Sequence, residues 1–186
     1  MTTIRNATRK DAPEIARVYV DSWRESYAGM IPDWVLLGMS YRRLTRAWDR
    51  AIRTAGKDEA ILVADDPGHG IVGLGSCGPS RDRSLTFGGE VYTLYVHPDH
   101  VGQGVGSELL KALFTHLEAS GSPSAVIWAL AENPARHFYH AQGGTIAATR
   151  QGRQWGVALN EVAYGWQDVK IFGTRAQGGK SGNDGD

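Results

Sequence analysis

The chain has almost no cysteine, no surplus of either charge and no long apolar run. Its one cysteine among 186 residues is Cys77. An intramolecular disulfide is therefore impossible, and nothing points to an oxidising compartment. With no histidine in its strand pattern, Cys77 reads as a small core residue rather than a nucleophile. Lysine plus arginine equals aspartate plus glutamate, 20 against 20. A balanced chain gives no electrostatic argument for a nucleic-acid or membrane partner. Arg42, Arg43, Arg46, Arg50 and Arg53 cluster in one helical segment, which reads as a solvated face. No apolar run reaches the roughly 20 residues of a membrane span. The start, Thr2-Thr3 followed by Arg5, has no apolar signal-peptide segment. The expectation is a cytoplasmic protein that binds neither nucleic acid nor membrane. Its composition, 41% hydrophobic and 22% charged, suits one domain with a full core.

What the chain does have is glycine at three alternate positions, 102, 104 and 106, just after an apolar stretch. The segment 90–107 reads as a buried strand, a turn, a glycine-rich loop and the start of an amphipathic helix. That order aims loop and helix N-terminal amides at one spot, which suits a phosphate. A Walker A loop needs Lys-Ser/Thr after its last glycine, but Gly106 is followed by Ser107-Glu108. A dinucleotide fingerprint counted from Gly102 meets Ser107 at its last position, and counted from Gly104 meets Leu109. Neither fits.

The segment resembles motif A of the Gcn5-related N-acetyltransferase (GNAT) superfamily, which binds the pyrophosphate of acetyl-coenzyme A. Val96-His97-Pro98 and the run from Val101 to Gly106 carry the likeness, with Val101 where the family usually has Arg or Gln. A second block agrees: Asn133, Phe138, Tyr139 and Gly143 match the family's Asn-x-x-Ala-x-x-Phe-Tyr-x-x-x-Gly pattern. The resemblance covers about residues 2–167. It implies an α/β fold: a mixed, mostly antiparallel central sheet with splayed middle strands, flanked by helices. One N-acetyltransferase domain over 1–168 is expected, with a C-terminal extension over 169–186, disordered from about 173. A homodimer is a habit of the family.

The local pattern agrees with that order. Ile4–Ala7 reads as a strand; Asp11 caps a helix with Pro13 in its first turn. One long helix is expected from Trp34 to Thr54. Ala60–Ala64 and Ile71–Cys77 form a hairpin about the turn 66–70. Ser80–Gly89 is a polar loop. Val91–Val96 is the central strand. The loop helix runs from about Gln103 to Ala119, with Val105, Leu109, Leu113, Phe114 and Leu117 inward. Ser124–Leu130 is a strand and Pro134 to Ala141 a short helix. Gly144–Gln151 and Val157–Trp166 close as an antiparallel pair.

The resemblance places acetyl-CoA against Leu94, Tyr95 and Val96, then Val101, Gly102, Gln103, Gly104, Val105, Gly106 and Ser107, with Asn133 and Tyr139 beyond. Acetyl transfer needs a base for the amine, donors for the oxyanion and a proton for the departing thiolate. Strand period two puts Glu90 on the face of Tyr92, Leu94 and Val96, and Glu90 is the candidate base. Tyr139 is the candidate acid, since a phenol near pKa ~10 stays protonated at neutral pH. Trp23, Tyr27 and Trp155 are expected to wall an amine acceptor, apolar or cationic. His97, His100, His137 and His140 have no metal-site spacing, and no metal is expected. The reaction expected is transfer to a primary amine of a small molecule by direct attack in a ternary complex. A protein lysine or N-terminus is the other acceptor class, and a non-catalytic acyl-CoA sensor the other kind of protein.

Overall fold

The computed structural model describes residues 1–170. The extension from about 173 lies outside them. β1 (Thr3–Asn6) leads through a short turn into α1 (Ala12–Ser26). Asp11 stands at the N-cap of α1, but its carboxylate makes no cap bond there. It accepts instead from Arg5 at 2.8 Å and from the Thr8 amide at 2.7 Å. The expected long second helix is two helices, α2 (Asp33–Leu37) and α3 (Tyr41–Thr54). Gly38 ends the first, and the Ser40 hydroxyl accepts from the Arg43 amide to start the second. A polar N-cap inside a periodic pattern outweighed the period itself.

β2 (Ala60–Asp66), β3 (Gly70–Pro79) and β4 (Gly89–Val96) form an antiparallel meander. α4 (Val105–Ala119) crosses to β5 (Ala125–Leu130), α5 (Ala135–Ala141) follows, and β6 (Thr145–Gln154) pairs with β7 (Val157–Trp166). The seven strands lie in the order β1-β2-β3-β4-β5-β7-β6, and only β4 and β5 are parallel. This is the mixed sheet flanked by helices that the resemblance implied. The β6–β7 hairpin turns on Trp155 and Gly156, at φ 52° and 81°. Two positive φ values define a type I′ turn. Trp155 is the one non-glycine residue with positive φ among the described residues.

The core lies between the sheet and α4. Leu109, Leu110, Leu113, Phe114 and Leu117 are all at most 1% exposed, and burying each side chain is worth roughly 1.5–3 kcal/mol. β3 accepts this helix closely: a Cβ on Gly75 would sit 2.7 Å from Leu113 Cδ1. Val169 is buried and its amide bonds to Pro123 O at 2.9 Å. The packed chain thus runs at least one residue past the expected boundary at 168.

Candidate active site

β4 and β5 pair only at Gly89 with Ala125 and Glu90 with Val126. Beyond those two pairs the strands diverge. β5 stays bound to β7 through Leu130, so the edge of β4 facing the gap has no strand partner after Glu90. A cavity of about 750 Å³ fills the gap. Its walls are Tyr92 to Val96 on one side and Ile127, Trp128 and Ala129 on the other. Backbone amides and carbonyls left open along such an edge can pair with an extended ligand as a strand would.

The glycine loop closes one end of this cavity. Gly102 and Gly104 have φ of 81° and 86°, a region that non-glycine residues rarely enter. They turn the chain so that α4 starts at Val105 with the loop against its first turn. The first amides of an α-helix lack intrahelical partners and, with the helix dipole, favour an anion. Val101, Gly102, Gly104, Gly106 and Ser107 all line the cavity. Gln103 and Val105 do not. Gln103 Nε2 donates to Asp99 O at 3.0 Å and so braces the loop, while Val105 is buried in the α4 core.

The end of α1 and the turn after it lie over the cavity, with Glu25, Tyr27 and Met30 among its lining. Ser22 Oγ, 3% exposed, donates to Val96 O at 2.9 Å and ties α1 to the end of β4. One turn further on, Glu25 is the single carboxylate on the cavity wall among the described residues. The Tyr27 and Tyr95 hydroxyls are 3.5 Å apart, and burial raises both phenols above their ordinary pKa. Of the three aromatics expected at the acceptor, only Tyr27 faces the cavity. Trp23 packs behind it at 4.7 Å between centroids, and Trp155 stands edge-on to Trp23 at 6.4 Å. The two tryptophans fix the position of Tyr27 rather than forming the wall.

Tyr139 and Asn133 both line the cavity and are both 5% exposed. Tyr139 sits on α5 against Phe138, Tyr164 and Trp166. Its hydroxyl has no hydrogen-bond partner among the described residues. Burial raises its pKa well above that of a free phenol, so the group is a proton donor and not a base. Asn133 Oδ1 accepts from the Ala135 amide at 2.8 Å and so orders the entry to α5. Its side chain also reaches the Tyr27 phenol.

Glu90 is not on the cavity wall. It lies at the closed end of the split, 4% exposed. One oxygen accepts from the Arg81 amide at 2.8 Å and the other from the Arg81 guanidinium. The Arg81 guanidinium also covers the Tyr92 ring at 4.0 Å. The expected face was wrong for a specific reason. Cys77 pairs with Val91 but Ser76 pairs with Thr93, so Tyr92 is an extra residue in the strand. Such a bulge breaks the period of two. Leu94 and Val96 consequently pack with Val91 in the α4 core, whereas Tyr95 packs on the α1 side. Glu90, next to Val91, points away from the face of Leu94 and Val96. The geometry makes it the tether of the β3–β4 loop.

Several wall residues escaped the sequence reading. Tyr92 was read only as a neighbour of Glu90 on the strand and Phe138 only as part of the Asn133–Gly143 block, while Glu25, with Asp21, was expected only to add charge near the acceptor. The i, i+3 spacing of Ser22 and Glu25 on α1 was the available signal. The His100 ring lies near two others, with centroids 4.9 Å from His69 and 6.1 Å from His97. Among the described residues no three His, Cys, Asp or Glu side chains gather as a metal site. No described helix is long and apolar enough to cross a membrane.

A split mixed sheet with a glycine loop and a helix N-terminus at the mouth of the split defines a GNAT-type acetyltransferase. The chain belongs to the acetyltransferase (GNAT) family, whose model matches residues 11–143. It is 32% identical over 175 residues to the uncharacterized N-acetyltransferase YuaI of Bacillus subtilis, covering 94% of this chain and 98% of that one. The yncA structure from Salmonella typhimurium, solved with its cofactor acetyl-CoA, aligns with a TM-score of 0.66 at 24% identity, covering 90% of this chain and 94% of the other. The paia N-acetyltransferase of Thermoplasma acidophilum, in complex with coenzyme A, aligns with a TM-score of 0.60 at 17% identity, covering 87% and 98%.

Proposed function

We propose that this chain transfers the acetyl group of acetyl-CoA to a primary amine of a small molecule, by direct attack in a ternary complex. The observation that carries this is the cavity between β4 and β5, continuous with the glycine loop at the start of α4. The pyrophosphate takes the amides of Gly102 to Ser107, and the pantetheine arm pairs with the open edge of β4 at Leu94 to Val96. The family resemblance and the acetyl-CoA bound to yncA support this placement. The amine attacks the thioester carbon and forms a tetrahedral oxyanion. As this collapses, Tyr139 gives its proton to the departing thiolate.

The wall supports a small acceptor carrying positive charge before attack. Tyr27 and Tyr92 offer aromatic faces, and Glu25 offers the one carboxylate. Among the described residues no lysine or arginine lines the cavity to repel a cation. With Glu90 held by Arg81, the amine proton leaves through solvent reaching the Glu25 side.

Thermal stability with acetyl-CoA, with NAD and ATP as controls, tests the ligand. At a hundredfold excess over Kd, binding adds about 2.7 kcal/mol, a shift of roughly 5–10 °C for a chain of this size. An amine screen by thiol release then tests turnover. No shift at millimolar acetyl-CoA would remove the cofactor assignment. A shift without thiol release for any amine would leave an acyl-CoA sensor.

A further inference from the structure

α3 carries a second feature that acetyl transfer does not use. Trp48 and Ile52 anchor its inner face on the cluster around Val63 and Leu74, and Trp48 stands edge-on to Tyr19 at 5.9 Å. At 3.6 residues per turn, Arg42, Arg43, Arg46, Arg50 and Arg53 fall within an arc of about 100° opposite Trp48. All five are exposed. None makes an ion pair or a side-chain hydrogen bond among the described residues. The nearest carboxylate, Asp49, is taken by Arg9 at 2.7 Å. Arg9, and less strongly Arg53, hold Asp49 below the ordinary carboxylate pKa, so its charge is already matched.

Arg9, Arg46, Arg50 and Arg53 line a groove of about 470 Å³ together with Ala12, Pro13, Thr45 and the Arg9-paired Asp49. The groove lies at the N-terminal end of α1, whereas the acetyl-transfer cavity takes Glu25 and Tyr27 from its C-terminal end. About 13 residues of helix, or roughly 20 Å, separate the two. Like charges three and four residues apart repel on a helix. Arg42 with Arg46, Arg43 with Arg46, Arg46 with Arg50 and Arg50 with Arg53 all do so here, and a bound anion offsets it. The five cations of α3 are all arginine. Its planar fork pairs two N–H groups with two oxygens of one phosphate, which lysine does not do. No aromatic residue lines the groove, so nothing there stacks a base. The rise from Arg46 to Arg53 is about 10 Å, longer than one phosphate.

We propose that this groove binds a ligand carrying at least two linked phosphates. Balanced total charge hid the site, because the fold brings Arg9 beside the five arginines of α3, and among the described residues Asp49 is the one carboxylate lining the groove.

The test is calorimetric titration with inorganic tripolyphosphate, metal-free and at low ionic strength, with sulfate as the control anion. Three proteins are compared: wild type, the exposed double variant Arg46→Gln/Arg50→Gln, and Ser107→Glu. The last places a carboxylate at the cofactor loop, so it blocks phosphate there and leaves α3 alone. Wild type and Ser107→Glu bind alike, and the double variant binds at least tenfold more weakly with an unchanged melting temperature. Binding of ATP at least tenfold tighter than tripolyphosphate assigns the phosphates to a nucleotide; equal or weaker ATP binding assigns them to an inorganic polyphosphate or smaller ester. Loss of binding in Ser107→Glu alone, equal binding in all three proteins, or no heat at millimolar tripolyphosphate would overturn the proposal.

Discussion

Glu90→Gln separates a tether from a catalytic base. Glu90 accepts three hydrogen bonds from Arg81, one from its amide and two from its guanidinium. Glutamine keeps one acceptor oxygen and turns an NH2 group toward the guanidinium. Losing charge-assisted bonds at a buried carboxylate costs about 1.5–3 kcal/mol. The Arg81 side chain is 63% exposed, and solvent screening lowers that to about 1–2 kcal/mol. For a chain of this size each kcal/mol moves Tm by about 2–4 °C, so the variant should melt roughly 2–8 °C lower. Arg81→Ala should fall by a similar amount, since both changes open the same loop. Steady-state kinetics should show kcat within about threefold of wild type, because no oxygen of Glu90 reaches the cavity. General-base removal costs ~10²–10⁴ in rate. A hundredfold loss of kcat at unchanged Tm would refute the tether and return Glu90 to the reaction.

Tyr139→Phe should lower kcat by roughly 10²-fold, the low end for proton transfer, with acetyl-CoA affinity kept. Its stability should hold, since the cavity-facing hydroxyl has no hydrogen-bond partner to lose among the described residues; a large fall in Tm with normal kcat would reverse the assignment. Trp155→Ala should raise the KM for the amine several-fold through Trp23 and Tyr27 and leave cofactor Kd alone, checked by initial rates and calorimetry. Equal loss of both would remove Trp155 from the acceptor side. Asp11 is held well below the usual carboxylate range, first by Arg5 and then by Thr8. A depressed pKa stabilises the fold above the unfolded value near ~3.9, and that contribution is lost as pH falls toward the folded value. Asp11→Asn should therefore cost about 2 kcal/mol at pH 7 and progressively less below about pH 4. Urea unfolding at neutral and acid pH measures the difference, and a gap independent of pH would contradict it.

The sequence by itself determined what is local. Gly102, Gly104 and Gly106 between a strand and a helix marked the anion loop, because positive φ and free helix amides are properties of a few adjacent residues. Periodicity placed the inward face of α4, and Asn133 and Tyr139, singled out by the family resemblance, both line the cavity. What the sequence did not carry were decisions made between distant segments. The break at Gly38–Ser40 was the exception, a local glycine stop and serine cap that the helical reading ran through. The bulge at Tyr92 exists only in register with Ser76 and Cys77, and it moved Glu90 off the face of Leu94 and Val96. The ion pair of Arg81 with Glu90 needed the β3–β4 hairpin to close, and the arginine groove needed Arg9 to meet α3 across the start of α1. Backbone propensity and period act over a few residues, whereas strand register and charge pairing are set by whichever surfaces packing brings together. Tertiary structure alone therefore decided which carboxylate lines the cavity and which holds a loop.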